Sequence, residues 1–259
     1  MKTTNVKTHR LSRQVLAPLM GIVALGCGSK GTCQQFDFVQ TNLVSDIPHL
    51  AAVTDPDLVN PWGIVHSPTS PFWIADNGSG LSTLYTGSGA KVPLTVTVPP
   101  PGGAPGPSAP TGIVFNPTSD FQVAASKPAH FIFDTEDGTI AAWASGTSAI
   151  LEVDNSGSSA VYKGLALANN GSGNFLYASN FHAGTVDVFN SSFTKTSLSG
   201  SFTDPSMPAG YAPFDIQNLG GDLYVTYAKQ NAAKHDDVAG PGNGYIDVFD
   251  LNGDLLRRL

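Results

Sequence analysis

Three short polar segments carry the residue types that can hold a cation or move a proton: Glu136 with Asp137, Asn180 with His182, and His235 with Asp236 and Asp237. Oxygen-rich sets of this kind suit Ca²⁺ or Mg²⁺, and one or two imidazoles shift the choice towards a transition metal. A cation held by Glu136, Asn180, His182, His235 and Asp236 could polarise a carbonyl or activate water, the chemistry of a metal-dependent, lactonase-like hydrolase. His235 beside two carboxylates could also act as a general base with raised pKa. Without a metal, the same groups with Asp76 and Asn77 could bind a polyhydroxylated small molecule or a partner protein. Trp62 and Tyr211 precede inner strands and read first as packing between blades, or else as aromatic faces that stack on sugars or ligand cations at the mouth. Against this stands the chemistry of turns, since Asp, Asn and Gly are what any tight turn prefers, and that reading is strongest for Asp76, Asn77 and Asp134. His is not a favoured turn former, and the segment 229–244 is far longer than its counterparts, which marks His182 and the His235 cluster for function.

What must position these residues is a repeat of roughly fifty residues, present four times. Each copy holds Gly with a short apolar run, an aromatic-rich run, a polar turn ending in Gly, and another apolar run. Copy one reads Trp62-Gly63-Ile64-Val65, Phe72-Trp73-Ile74-Ala75, a turn at 76–80 and an apolar run at 81–85. The corresponding turns of copies two and three are 134–138 and 180–184, and copy four carries the long turn 229–244. Short β-type runs at such a period predict an all-β fold, a β-propeller of four-stranded antiparallel blades at 55–98, 110–154, 161–203 and 211–259. Innermost strands are expected to start at Gly63, Gly112, Gly164 and about Asp215, where small residues let backbones approach closely. Fourth strands are expected at 93–98, 150–153, 198–202 and 255–259. A separate strand at 36–44 is expected to complete the last blade. The segment 99–110, with six prolines and three glycines, reads as a surface connection. In this architecture the turns between second and third strands lie on one face, so the candidate residues should converge at the channel mouth.

The stretch LYASNFHAGTVDVF (176–189) resembles the unit of NHL and YVTN-type propellers. FVQTNLVSD (38–46), DPDLVNPWGI (55–64), FWIADNGSGLSTLY (72–85), TEDGTIAAW (135–143), NFHAGTVDVF (180–189) and KHDDVAGPGNGYIDVFDLNG (234–253) together resemble a bacterial family of exported proteins. That resemblance implies two further repeats, hence a six-bladed ring and a C-terminally incomplete chain, and it implies no activity. The Gly-His and Trp-Asp signatures of tryptophan-aspartate repeats are absent, and TEDGTIAAW fits an Asp-box poorly. There is no G-x-S-x-G elbow, phosphate-cradling loop or H-E-x-x-H helix.

Lys2, Lys7, Arg10 and Arg13 precede an apolar run that ends at Cys27, the outline of a signal peptide over 1–26, followed by a flexible leader at 27–35. Ala24-Leu25-Gly26-Cys27 is similar to a bacterial lipobox, which would tether the chain through acylated Cys27 as an outer-membrane or cell-surface lipoprotein. Ordinary cleavage would instead leave a periplasmic or secreted chain with a Cys27–Cys33 disulfide. Four of the thirteen basic residues and none of the twenty acidic ones lie in 1–26, leaving nine against twenty, a net charge of −11. Nucleic acid is therefore not an expected partner, and a membrane is one only through the lipid anchor. The reading that results is an exported, non-catalytic binding module of the cell envelope. The hydrolase above and a purely structural envelope or matrix protein are its alternatives.

Overall fold

Apolar runs with strand-length spacing fold into four sheets, each of four antiparallel strands that follow chain order. The computed structural model describes residues 39–102 and 104–259. The expected signal peptide, the leader at 27–35, Cys27 and Cys33 lie outside the described residues. Blade 1 comprises Pro61–Val65, Phe72–Asp76, Leu81–Tyr85 and Lys91–Thr97. Blade 2 comprises Pro110–Phe115, Phe131–Thr135, Thr139–Trp143 and Ile150–Asp154. Blade 3 comprises Tyr162–Asn169, Asn174–Asn180, Thr185–Phe189 and Lys195–Thr196. Blade 4 comprises Tyr211–Leu219, Asp222–Lys229, Gly244–Phe249 and Leu255–Arg258. This is the β-propeller architecture that the repeat predicts.

Two expectations about strands need correction. The outer strand of blade 3 is the two residues Lys195–Thr196 rather than 198–202. Residues 39–43 form no strand; Val44–Ser45 pairs in parallel with Val53–Thr54 instead of completing a distant blade. Val44 packs there with Leu58, Ile74 and Tyr85, so local apolar contact decides where this segment goes.

Each inner strand bulges at the same place against its second strand: between Pro61 and Ile64, opposite Phe133 to Thr135, between Tyr162 and Leu165, and between Pro213 and Ile216. A bulge re-aims side chains, and here it turns the residue before each inner-strand glycine towards the mouth. The glycines themselves are required by crowding. A Cβ on Gly63 would stand 2.6 Å from the Thr111 carbonyl oxygen, and one on Gly112 would collide with the Leu165 amide nitrogen.

Among the described residues, three large apolar cores join consecutive blades, and a smaller one around Phe181 and Ala212 adds to the contact of blades 3 and 4. Trp73, Leu84 and Val96 of blade 1 pack with Ile113, Phe131 and Phe133 of blade 2. Ile132 and Ile140 of blade 2 pack with Leu165, Leu176 and Ala178 of blade 3. Tyr177 and Val188 of blade 3 pack with Ile216, Val225 and Phe249 of blade 4. The residue following the inner-strand bulge thus faces the preceding blade: Ile113, Leu165 and Ile216 are 7%, 6% and 1% exposed. Ile64, at the same position of blade 1, is 63% exposed. Neighbouring inner strands pack from blade 1 through blade 4, and blades 4 and 1 meet through the rings of Trp62 and Phe214, 5.7 Å between centroids.

Gly112→Val should destabilise the fold by about 1–3 kcal/mol, the usual range for overpacking. Equilibrium urea unfolding at constant pH measures it; an unchanged midpoint would show that the inner strands can separate without cost.

Candidate functional site

The residue before each inner-strand glycine, or before Asp215 in blade 4, is Trp62, Thr111, Lys163 and Phe214 in turn. All four line one central cavity of about 410 Å³, together with Asp215 and Gln217. The only charged member of this ring is Lys163, and it is 4% exposed. A buried ammonium needs a counter-charge and further stabilisation. Lys163 has both. Its Nζ forms an ion pair with Glu136 Oε1 and stands 4.0 Å from Asp236 Oδ1. The rings of Trp62, Phe214 and Phe181 lie with centroids 5.3, 5.7 and 5.8 Å from the same nitrogen, a cation–π cage.

Around this ammonium a polar network crosses all four blades. Asn60 donates to Asn77 Oδ1 at 3.0 Å, and Asn77 donates to Glu136 Oε2 at 2.9 Å. On the far side His235 Nδ1 contacts Asp236 Oδ1 at 2.9 Å, and Asn231 donates to Asp236 Oδ2 at 3.3 Å. The hydrogen bond with His235 is the main cause that holds the Asp236 carboxyl below the ordinary carboxylate range, with Lys163 adding to it.

The other sequence candidates divide plainly. Asn77, Glu136, His235 and Asp236 converge with Trp62 at the mouth. Asn180 does not join them: its side chain accepts from the Val161 and Ala183 amides and donates to Asp187, so it builds its own turn. Asp137 caps the linker by accepting from the Ala109 amide at 2.7 Å. His182 is half-buried beside the long loop, its carbonyl accepting from Gln230. Asp237 is exposed on that loop and bridges Gln230 through the backbone. Tyr211 packs edge-on against Tyr245, centroids 4.8 Å apart, and braces the loop through the Gly242 carbonyl instead of facing the cavity.

Asp76 and Asp134 are fully buried, not rim residues. Asp134 Oδ1 accepts from the Gly112 amide at 2.6 Å and from Thr111 Oγ1 at 2.9 Å, so it pins the bulge from behind. Asp76 Oδ2 accepts from the Thr83 amide at 2.9 Å. Among the described residues the second oxygen of each has no hydrogen-bond partner. Burial pushes both carboxyls up to about 7.

Glu136, His235 and Asp236 each offer a ligand atom, all within 4.8 Å of one another. Their fit to a divalent cation is poor as they stand, because the Lys163 ammonium is already inside the cluster and both Glu136 oxygens are engaged. Lys163 is the residue that the sequence motifs passed over, since within its own repeat it reads only as a polar residue beside a glycine. The signal lies in the comparison of repeats: a lysine stands where the other copies have Trp, Thr and Phe.

Fold and site together define a run of β-propeller blades with a sealed, self-neutralised charge at the channel mouth. No protein-family model matches the chain. It is 33% identical over 229 residues to an uncharacterised protein of Acanthamoeba polyphaga mimivirus, covering 83% of this chain and 55% of that one. A second uncharacterised protein of the same virus is 33% identical over 230 residues, covering 83% and 59%. The chain therefore spans a little over half the length of these two relatives. These relatives are viral, which overturns the expectation of a bacterial family. Among solved structures, hydrazine synthase of Kuenenia stuttgartiensis aligns with a TM-score of 0.50 at 15% identity, over 82% of this chain and 52% of that chain. Virginiamycin B lyase of Staphylococcus aureus aligns with a TM-score of 0.49 at 16% identity, over 79% and 71%. Likeness at such identity concerns the fold alone.

Asp76 and Asp134 make stability depend on pH in a stated direction. Their folded-state pKa values of about 7 exceed the ordinary 3.8, so between those values the folded chain binds more protons than the unfolded chain. Their contribution is full below about pH 4, falls as pH rises to about 7, and levels off above it. Asp134→Asn keeps an acceptor for Gly112 and removes one of the two titrations. The urea midpoint of the wild type should drop between pH 5 and pH 8, and that of the variant should drop less; equal drops would contradict the assignment.

Proposed function

We propose that this chain is a propeller binding module that recognises a small molecule, or an exposed loop of a partner protein, at the channel mouth without catalysis of its own. Lys163 carries the reading. Its charge is closed off by Glu136, Asp236 and three aromatic rings contributed by blades 1, 3 and 4. Such an arrangement makes the mouth rigid and pre-organised, which is what binding requires. A catalytic acid or base would instead need a free partner within reach of a substrate. Export through residues 1–26 belongs to the same proposal and is tested by N-terminal sequencing of the mature chain.

The second reading, a cation-dependent hydrolase, draws on the proximity of Glu136, His235 and Asp236. One pair of measurements separates the two. In the binding reading, the wild-type melting temperature is indifferent to chelator and to Ca²⁺, Mg²⁺, Mn²⁺ or Zn²⁺. A cation at about a hundred times its dissociation constant would add about 2.7 kcal/mol, a shift that a melt resolves. Such a shift in the wild type, abolished by Glu136→Gln, would overturn the binding reading in favour of the hydrolase.

Lys163→Met should cost about 3–5 kcal/mol, as removal of one partner from a buried pair does. Adding Glu136→Gln should recover much of that loss. In the single variant the vacated cluster should gain a melting response to Zn²⁺ that the wild type lacks. Urea unfolding of the two variants and metal-dependent melts of the single one check this; equal stabilities would mean that the ion pair contributes nothing.

A further inference from the structure

The same cavity also indicates what kind of ligand it would take, an inference that rests on the binding reading above. Cations are met poorly, because the aromatic cage of Trp62, Phe214 and Phe181 already surrounds the chain's own ammonium. Anions are met poorly too. Lys163 is neutralised by Glu136, and Asp236 stands 4.0 Å away on the other side. Asp215 adds a further carboxylate at the cavity wall. What is left for a ligand to use is hydrogen bonding and one indole face, with the Asp215 carboxylate standing outside the ion pair.

Below the cage the inner strand of blade 4 presents Asp215 and Gln217, both exposed and both lining the cavity. Among the described residues the Gln217 side-chain amide has no hydrogen-bond partner, and Asp215 Oδ1 only accepts from the Ile216 amide at 2.8 Å. A carboxylate accepts and a carboxamide both donates and accepts, which matches hydroxyl groups that do both. Trp62, whose ring meets that of Phe214, is half-buried and offers an indole at the same cavity wall. About 410 Å³ lies within the usual range for small-molecule sites.

We infer that the channel binds a carbohydrate, with the aliphatic face of one sugar ring laid on Trp62 and its hydroxyls bonded to Asp215 and Gln217. The position before Gly63 supplies the platform, and the bulge of blade 4 supplies the polar edge.

The test uses the full chain and saturation-transfer NMR with three probe sets: neutral mono- and disaccharides, tetramethylammonium, and inorganic phosphate. Gln217→Ala, whose side chain has no partner to lose, and Trp62→Ala are measured beside the wild type, each with a melt to confirm folding. Saccharide binding that weakens at least about tenfold, or 1.4 kcal/mol, in Trp62→Ala and weakens in Gln217→Ala is the expected result. Should Trp62→Ala fail to fold, Gln217→Ala decides alone. Saccharide binding unaffected by the folded variants would overturn the inference, because the sugar would sit elsewhere. Binding of tetramethylammonium or phosphate only, lost in a variant, would overturn the sugar while leaving a ligand site at the mouth. No binding by any probe set would overturn the sugar and count against the mouth as a small-molecule site.

Discussion

The Lys163 ammonium is the point on which the mouth depends. An unpaired charge at 4% exposure would be too costly to keep, so its neighbours are obliged to answer it. Glu136 answers with a carboxylate from blade 2, Trp62 and Phe214 answer with rings from blades 1 and 4, and Asp236 answers from the long loop. Each of these groups is held in turn by something local: Glu136 by Asn77, Asp236 by His235 and Asn231. The charge thus converts four similar blades into one asymmetric site. In a repeat protein that asymmetry is where recognition has to come from, since the repeats alone present equivalent surfaces.

Beneath the mouth a second layer of polar groups does a different job. Asp134 holds the blade 2 bulge through Gly112 and Thr111, and Thr111 Oγ1 also donates to the Tyr162 carbonyl of blade 3. Asp187 collects Asn180, Thr185 and Tyr162 in blade 3, and Asp247 receives Arg258 in blade 4. Asp134 and Asp187 thereby hold the inner strands of blades 2 and 3, which carry Thr111 and Lys163, while Asp247 ties the outer strand of blade 4 to the third. Positioning and recognition are separated by only one residue in the sequence and by one layer in the fold.

That separation explains what the sequence made legible. The period, the blade strands and the turns ending at Gly80, Gly138 and Gly184 are visible because each rests on local chemistry; all three glycines have positive φ, which other residues adopt at a cost. Convergence of Asn77, Glu136, His235 and Asp236 also follows, because topology alone puts those turns on one face. Asp134 misleads because an aspartate opening a polar turn looks like a turn former, whereas the bulge directs it inward. Lys163 is hidden for the opposite reason: a lone lysine reads as a solvated charge, and only the rings and carboxylate of other blades make it a buried one. The segment at 39–43 alternates locally, but its neighbours pair elsewhere, with Val53–Thr54, and no local pattern carries that information.

The exposure of Ile64 sets the order in which the arc comes apart. Its counterparts are sealed between sheets, whereas among the described residues blade 1 has the short Val44 and Leu58 contact on that side. A sheet with less apolar surface sealed against a neighbour opens at a smaller free energy, so backbone amides of blade 1 are expected to exchange with solvent before those of blades 2 and 3. The mouth draws Trp62 from that loosest sheet and Phe214 from the other end. A molecule seated on Trp62 beside that ring contact would act as a clasp, slowing exchange in blades 1 and 4 together.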